Sequence, residues 1–309
     1  MRSDKASVII PTFNKKERLQ IVLRSFNYQD TPKENFEVIL VDDGSTEATQ
    51  EVIDSTPMHY PFRHIYQKNR GRSAARNSGI ALAEHPLLIF CDDDTIPSKS
   101  FIAAHIAAHH DKDHHVVHGM IYNLPYLKFF KDPVKGVLYE QVKEPQTDPV
   151  FLKKMLLSQE QSELYKNIEA QRKITQFEKN IKTIYEENIA ELKFLGFTGG
   201  NVSVSRQSIK EAGLFDEDFG LVWGSEDLEM GYRLFLSGVS FRYNENACNY
   251  HMAHHRCDFK SDLSISMNAF YKKHSHAVIY HLGKLLSGEI KNVNEYLALV
   301  HAHEKIELN

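Results

Sequence analysis

Three consecutive aspartates, Asp92, Asp93 and Asp94, follow directly after an apolar run that ends at Cys91. Side chains alternate along an extended segment, so Asp92 and Asp94 can share one face while Asp93 takes the other. Carboxylate oxygens are the hard ligands that Mg²⁺ and Mn²⁺ prefer, usually with a substrate phosphate completing the shell. The triplet therefore predicts a metal–phosphate site, with a solvated acidic turn that caps the next helix as the alternative.

A second pair of acids, Glu226 and Asp227, lies where a periodic helix through Leu228 is predicted to begin. A carboxylate near a helix N-terminus is favoured in its charged form, so we expect Asp227 to be ionised at neutral pH and able to accept a proton. The alternative is that both acids only complement the helix dipole. The chain's only tryptophan, Trp223, precedes them together with Gly224 and shifts the balance towards a functional site.

The first third of the chain alternates predicted strands and helices that would position these acids. Apolar spacing predicts strands at 8–10, 36–41, 64–67 and 86–91, and helices at 16–26, from Ser45 or Thr46 to 54, and at 72–83. This alternation indicates an α/β fold with a doubly wound parallel sheet, whose ligand crevice lies at the carboxyl ends of the strands. Polar residues gather at three such ends, namely Thr12 with Asn14, Asp42 with Asp43, and the aspartate triplet.

Composition and missing motifs exclude several function classes. The 37 basic and 41 acidic residues give a formal charge of −4, which does not favour bulk capture of nucleic acid. Neither a Gly-x-Gly-x-x-Gly loop nor a P-loop follows the first strand, so nicotinamide and P-loop chemistry are disfavoured. Arg72 and Arg76, one helical turn apart, are instead available to neutralise a diphosphate, with a solvated surface as their alternative.

The cysteines and the apolar pattern predict a location. Three cysteines, with Cys91 in a predicted core strand, indicate a reduced, cytoplasmic protein. The chain shows neither the apolar core of a signal peptide nor a stretch long enough to span a bilayer. We therefore expect no transmembrane segment, and any membrane contact to be peripheral.

Six short motifs occur in order along the chain, at residues 7–14, 41–45, 69–77, 92–97, 197–205 and 223–233. Together they resemble the family 2 glycosyltransferases, and they look most like the bacterial chondroitin-polymerase and polypeptide N-acetylgalactosaminyltransferase-like branch. The resemblance implies the GT-A fold, a Rossmann-like and mostly parallel sheet flanked by helices. It also implies a nucleotide-sugar-binding half at 1–125 and an acceptor-side half at 196–257, which leaves residues 126–195 as a helical insertion and residues 258–309 as a C-terminal helical extension.

The resemblance implies an inverting transfer of one hexose or N-acetylhexosamine from a UDP-sugar to an acceptor nucleophile. Asp227 is expected to be the general base, because retaining relatives with a similar Trp-Gly motif typically carry Asn at that place. The Mn²⁺ or Mg²⁺ cofactor is expected to be held by Asp94, Asp92 and His251, with His254 as the substitute for His251. The nucleotide is expected to contact Pro11, Thr12, Phe13, Glu17, Asp43, Arg72, Asp92 and Asp93.

The sugars are expected to contact Gly199, Gly200, Asn201, Trp223 and Glu226. Two consecutive glycines let the backbone approach the donor closely, with a plain turn before the next strand as the alternative. Ser225 departs from the family pattern, in which glycine is common at this position, so the motif does not determine the identity of the acceptor. The acceptor is a glycan, a lipid-linked intermediate, a peptide or a small molecule.

The 17 histidines fall largely into two clusters. Cys248, His251, His254, His255 and Cys257 are of the types that bind zinc, but their spacing fits no common zinc finger, so the catalytic-metal role of His251 is preferred. The other cluster spans residues 105–118. There His105 and His109 have the i, i+4 spacing of a metal pair, although we expect a solvated helix surface.

Residues 126–195 depart most from the family pattern. Apolar residues at a/d-like spacing, Ile174, Phe177, Ile181 and Ile184, predict two inserted helices. These helices would form an acceptor lid, a homodimer seam through 150–195, or a packing addition. The tail from residue 258 predicts two further helices.

One alternative to an enzyme is a non-catalytic protein that binds a sugar nucleotide, or acts as a scaffold, and retains the GT-A fold. The presence together of Asp94, Asp227 and His251 favours the enzyme, because a degenerate copy would be expected to have lost at least one of them.

Overall fold

The computed structural model describes residues 4–110, 115–143, 161–255 and 258–307. His114, Cys257 and the first part of the predicted homodimer seam, residues 150–160, lie outside the described residues. The strands are β1 (Ala6–Thr12), β2 (Phe36–Asp42), β3 (Phe62–Tyr66), β4 (Leu87–Cys91), β5 (Thr95–Pro97), β6 (His115–Leu124), β7 (Phe130–Asp132), β8 (Val137–Leu138), β9 (Lys173–Ile174), β10 (Asn201–Ser205) and β11 (Ser240–Met252). The helices are α1 (Lys16–Ser25), α2 (Thr49–Ser55), α3 (Arg72–Leu82), α4 (Phe101–Ala108), α5 (Gln161–Gln171), α6 (Gln176–Glu186), α7 (Arg206–Glu211), α8 (Glu226–Leu236), α9 (Phe259–His274), α10 (Ala277–Leu286) and α11 (Val293–Glu307).

Among the described residues, a nine-stranded sheet forms the centre of the molecule, in the order β3-β2-β1-β4-β10-β6-β11-β5, with β9 added beside β6. Strands β1 to β4 are parallel, β10 is antiparallel to both of its neighbours, and β11 is parallel to β6. Six of the nine strands therefore run in one direction. The predicted α/β fold with a mostly parallel central sheet is confirmed.

Strands β1, β2 and β4 are buried along their whole length. Continuous apolar runs of this kind are typical of parallel strands that helices cover on both faces. Alternation along β1 places Val8 and Ile10 in one hydrophobic cluster and Ile9 in the other, on the opposite face of the sheet. The register pairs Thr12 with Asp42 and Ile9 with Phe90, so the polar strand ends meet at one edge of the sheet as predicted.

The loop after β2 differs from its prediction. Helix α2 begins at Thr49, and neither Ser45 nor Thr46 caps it. Both residues instead bind Asn14 across the strand ends, because Ser45 Oγ accepts from Asn14 N at 2.9 Å and Thr46 N donates to Asn14 Oδ1 at 2.9 Å. The predicted caps therefore hold the loop against the end of β1.

Helix α6 of the insertion packs its apolar face on the core through the buried Ile181 and Ile184. The a/d interpretation is wrong at Ile174, which lies in β9 opposite Tyr122 of β6 and is 42% exposed. The helix begins only after Thr175, whose side chain accepts from Glu178 N and caps it. The a/d spacing therefore assigned Ile174, a residue of β9, to the apolar face of a helix.

The predicted solvated surface at His105 and His109 is wrong. Both side chains are buried, and His105 bonds Ser203 Oγ at 2.8 Å and Asn201 Oδ1 at 2.9 Å, while His109 bonds Ser203 Oγ at 2.9 Å. Burial lowers the pKa of His105 to about 4 and that of His109 to about 2, so both are neutral at pH 7. Their role is to satisfy polar groups between α4 and β10.

The tail forms three helices, α9 to α11, where two were predicted. Ser275 takes a left-handed conformation that ends α9, and His276 caps α10. No proline or glycine marks this break in the sequence. Within the described ranges, none of the helices combines the length and apolar composition needed to cross a bilayer.

Candidate active site

A cleft of about 990 Å³ opens at the carboxyl ends of β1, β2 and β4. Of the residues that the sequence assigns to the site, the cleft is lined by Pro11, Thr12, Phe13, Asp43, Arg72, Asp92, Asp93, Asp94, Gly200, Trp223, Glu226, Asp227 and His251. Glu17, Gly199 and Asn201 do not line it. Residues from both ends of the chain therefore converge on one cleft.

The aspartate triplet does not continue β4 as an extended strand. The chain turns at Asp93 and Asp94 into β5, so the expected alternation of side chains fails. Asp93 accepts a 2.6 Å hydrogen bond from Thr12 Oγ1 at the end of β1. Burial, together with the neighbouring charge of Asp94, raises the pKa of Asp93 to about 7. Asp92 is 38% exposed and faces Arg76 Nη2 at 3.5 Å.

Asp94 lies in a cluster with two histidines. His254 Nε2 is 3.1 Å from Asp94 Oδ2, and His251 Nε2 is 3.7 Å from Asp94 Oδ1. One ligand atom from each of the three side chains lies within 4.8 Å of the others, and Asp92 is not part of this group. The antiparallel pairing of β11 with β5 places His251 opposite Thr95 and so brings it beside Asp94.

Hydrogen bonds orient both imidazoles towards Asp94. Nδ1–H of His251 donates to Asn123 Oδ1 at 3.1 Å, and Nδ1–H of His254 donates to the His255 carbonyl at 3.1 Å. Each Nε2 then faces the carboxylate, towards which it carries a proton without a metal; once deprotonated it would offer its lone pair to a metal ion, and outer partners orient metal-ligating histidines in this way. One carboxylate and two imidazoles are a donor set that fits a divalent metal ion.

Charge keeps Asp94 ionised. Burial alone raises the pKa of this carboxyl, but His251, Lys15 and His254 oppose it, and the pKa lies well below its usual range. Lys15 Nζ, just before α1, is 3.4 Å from Asp94 Oδ2. No feature of the sequence marks Lys15, because its position before a helix resembles that of many surface lysines.

Asp227 occupies the first turn of α8. Its Oδ1 accepts from the Leu228 amide at 2.8 Å and its Oδ2 from the Gly199 amide at 2.9 Å. Burial and the charge of Glu226 raise its pKa to about 6, and Arg76 and the two amides only partly offset them. The helix terminus therefore does not lower this pKa overall as expected, although the carboxylate is still mostly ionised at pH 7.

Gly199 acts through its backbone rather than on the cleft surface. Besides the amide that holds Asp227, its position requires a small residue, since a Cβ there would lie 2.1 Å from Arg76 Nη2. Asn201 is also used internally, because its amide group donates to the carbonyls of Met120 and Ala247. The expected sugar contact of Asn201 is therefore not available from this position.

Arg76 is buried, with 2% of its side chain exposed, so a solvated surface role is wrong. Its Nη1 bonds Glu226 Oε1 at 2.7 Å, and its Nη2 faces Asp92. The guanidinium thus joins the strand end of β4 to the first turn of α8. Arg72 is exposed at the start of α3 and lines the cleft.

Asp43 organises the loop that follows β3. Its carboxylate accepts from Gln67 Nε2 at 2.7 Å, from the Arg70 amide at 3.0 Å and from the Gly71 amide at 2.8 Å. Gly71 has φ +92°, and a Cβ there would lie 1.8 Å from the Gly220 carbonyl, so only glycine fits. Phe13, 43% exposed, also lines the cleft.

Aromatic and aliphatic side chains form the wall near Asp227. The Trp223 and Phe259 rings lie 5.2 Å apart at 44°. The insertion and the tail also line the cleft with residues that lie outside the six family motifs, namely Thr175, Phe177, Phe259, Leu263 and Leu286. Ser225, which precedes α8, has a left-handed backbone with φ +65° and bonds Ser266 Oγ at 3.1 Å.

Residues 7–211 match the family model described as Glycosyl transferase family 2. The chain is similar to the uncharacterized glycosyltransferase YfnE of Bacillus subtilis (strain 168), with 34% identity over 262 residues that cover 81% of this chain and 65% of that protein. It is also similar to the chondroitin synthase of Pasteurella multocida (strain Pm70), with 29% identity over 254 residues that cover 79% of this chain and 24% of that protein. The chain thus spans less than two thirds of the length of either relative. A crystal structure of GalNAc-T7 with UDP, GalNAc and Mn²⁺ matches with a TM-score of 0.57 and 16% identity over 90% of this chain and 50% of that chain.

Proposed function

The chain belongs to glycosyl transferase family 2 and has the GT-A fold, and from that membership we propose that it is a metal-dependent inverting glycosyltransferase. The family resemblance of its motifs is confirmed. One observation carries the proposal. The cluster of Asp94, His251 and His254 and the carboxylate of Asp227 line the same cleft. The reaction moves one hexose or N-acetylhexosamine from a UDP-sugar to an acceptor nucleophile.

The nucleotide occupies the side of the cleft formed by the ends of β1, β2 and β4. Phe13 offers an exposed ring next to Pro11 for the uracil, and Asp43 offers its carboxylate as a hydrogen-bond acceptor for the base. Arg72 supplies positive charge for the diphosphate, and Asp92 faces the ribose. The UDP bound to GalNAc-T7 supports a uridine nucleotide in a cleft of this fold.

Asp94, His251 and His254 would hold the divalent metal ion. Two imidazole nitrogens in the donor set favour Mn²⁺ over Mg²⁺, which prefers oxygen ligands. The Mn²⁺ in the GalNAc-T7 structure is consistent with this choice. Such an ion supplies Lewis-acid stabilisation of the charge that develops on a departing nucleoside diphosphate.

Asp227 accepts the proton of the acceptor nucleophile, and the amides of Gly199 and Leu228 hold its two oxygens in place. The acceptor attacks the anomeric carbon from the face opposite the leaving nucleotide. The departing nucleotide therefore cannot take the acceptor's proton, and a separate base is required. Gly200, Trp223 and Glu226 lie around the sugars in this arrangement. The halves at 1–125 and 196–257 then serve donor and acceptor, and the insertion and tail complete the acceptor wall.

UDP release from UDP-glucose, UDP-galactose and their N-acetyl derivatives tests this proposal, measured with Mn²⁺ and in EDTA. We expect release with Mn²⁺ only, inversion at the anomeric carbon of the product by NMR, and a loss of about 10²–10⁴-fold in Asp227→Asn. The matched control Asp218→Asn changes an 87% exposed carboxylate and leaves the rate unchanged. Full activity of Asp227→Asn, or of the wild type in EDTA, contradicts the proposal. Binding of UDP-sugar without any release by the wild type identifies a non-catalytic binding protein.

A further inference from the structure

We propose that Arg18 is a positioning residue for the metal site. Its guanidinium binds the backbone between His251 and His254 and holds it where both imidazoles face Asp94. The inference rests on the proposed function, because it assigns a role towards the metal ion that those three side chains would hold.

Arg18 lies in the first turn of α1 and is 2% exposed. Its Nε donates to the Met252 carbonyl and its Nη2 to the Ala253 carbonyl, both at 3.4 Å. These are the two residues between His251 and His254 in the chain. The guanidinium therefore binds the short segment that carries both imidazoles.

Three further bonds of Arg18 tie this segment to β7 and to the 3₁₀ turn directly before it. Nη1 donates to the Lys131 carbonyl at 2.9 Å, and Nη2 donates to the Phe130 carbonyl at 2.7 Å and the Leu127 carbonyl at 3.4 Å. Five carbonyls thus surround the buried guanidinium, and Nη2 shares its two N–H groups among three of them. Such charge-assisted bonds fix backbone positions, because moving a carbonyl away weakens the hydrogen bonding of a buried charge.

The same segment is anchored to the metal site from its other side. Met252 N donates to the Asp94 carbonyl at 2.8 Å, while the Met252 carbonyl accepts from Arg18. The turn that carries Arg18 also follows directly on Lys15, whose carbonyl accepts from Arg18 N at 3.0 Å and whose ammonium group faces Asp94. Arg18 therefore connects Lys15, which directly precedes α1, with the segment between His251 and His254, and it does not itself line the cleft.

Lysine cannot replace this geometry, since an ammonium group has three donors on a point charge and cannot reach carbonyls on both sides. We expect Arg18→Lys to raise the dissociation constant of Mn²⁺ about 10-fold and Arg18→Met up to about 100-fold, the range seen for outer partners of metal ligands. UDP binding in EDTA, if any is detectable, is unchanged. Arg24→Met, on the same helix and outside this set of carbonyl bonds, serves as the matched control and leaves the constant unchanged.

The measurement is a titration of the full chain with Mn²⁺ alone, with the free ion followed by electron paramagnetic resonance and folding checked by circular dichroism. If Arg18→Met does not fold, the decision rests on Arg18→Lys. Lower melting temperatures with an unchanged Mn²⁺ constant mean that Arg18 only stabilises the fold, and they overturn the inference. Absence of Mn²⁺ binding by the wild type overturns the proposed metal site instead, so the two failures are distinguishable.

Discussion

Three aspartate side chains of the cleft differ in pKa because of their surroundings. Asp94 faces two histidines and a lysine and has a pKa well below its usual range, whereas burial raises that of Asp93 to about 7 and that of Asp227 to about 6. Separated pKa values of this kind allow one site to hold a permanent charge and a titrating base. We assign the first role to Asp94 and the second to Asp227.

The pKa of Asp227 predicts how transfer depends on pH. A base acts in its ionised form, and the ionised fraction of Asp227 increases as the pH rises through about 6. We expect kcat/KM for UDP-sugar turnover to rise about tenfold per pH unit below 6 and to level off above it. Profiles from pH 5 to 8, at saturating Mn²⁺ for every pH, measure this. A flat profile across that range removes Asp227 as the base.

Residue types could be predicted from the sequence better than side-chain directions. Motif resemblance placed Asp94, Asp227 and His251 in one cleft, as the structure does. It could not show that the chain turns after Cys91, which directs Asp92 to Arg76 and away from the histidines. Spacing along a strand gives alternation only while the strand continues.

Elements with strong apolar runs could be predicted from the sequence, and elements set by tertiary contacts could not. β1, β2 and β4 are buried on both faces, so their composition alone identifies them. The break between α9 and α10 depends on the backbone of Ser275, and the burial of His105 depends on Ser203 and Asn201 across the interface. Neither contact leaves a local signal in the sequence.

Helix α8 carries Asp227 and packs closely on the segment before β10. A Cβ at Gly231 would lie 2.5 Å from Phe197 Cβ and 2.6 Å from the Phe194 carbonyl. We expect Gly231→Ala to destabilise the fold by about 1–3 kcal/mol, since the excess volume displaces the helix. Thermal or urea unfolding measures this loss.

The matched control is Gly283→Ala in α10, where the nearest atom to an added Cβ is Met267 Cγ at 3.7 Å. This helix-interior glycine has room for a methyl group, so the higher helix propensity of alanine stabilises the fold by up to about 1 kcal/mol. Equal destabilisation by both substitutions would show that close packing of α8 is not the cause.

The cleft belongs to the whole molecule rather than to one part of it. The strand ends of the first half and the start of α8 supply the acids, β11 and the segment directly after it supply the histidines, and the insertion and tail supply Phe177, Leu263 and Leu286. Family motifs marked the first two contributions. The third contribution consists of apolar residues that no family motif marks. They line the cleft only because the fold brings the insertion and the tail back to it.

Ligand binding at this cleft should stabilise the whole fold. We expect UDP with Mn²⁺ to raise the melting temperature, corresponding to about 2.7 kcal/mol when the ligand is at 100 times its dissociation constant. UDP in EDTA gives little shift, because Asp94 and the diphosphate then repel each other. A thermal-shift comparison of both conditions measures this, and equal shifts argue against a shared metal.

The metal is tested most directly by a crystal of the full chain soaked with Mn²⁺ and UDP, with data collected for anomalous scattering from manganese. We expect an anomalous peak bonded to Asp94, His251 and His254 and to the diphosphate of UDP. A peak elsewhere in the cleft, or UDP bound with no manganese between these three side chains, contradicts it.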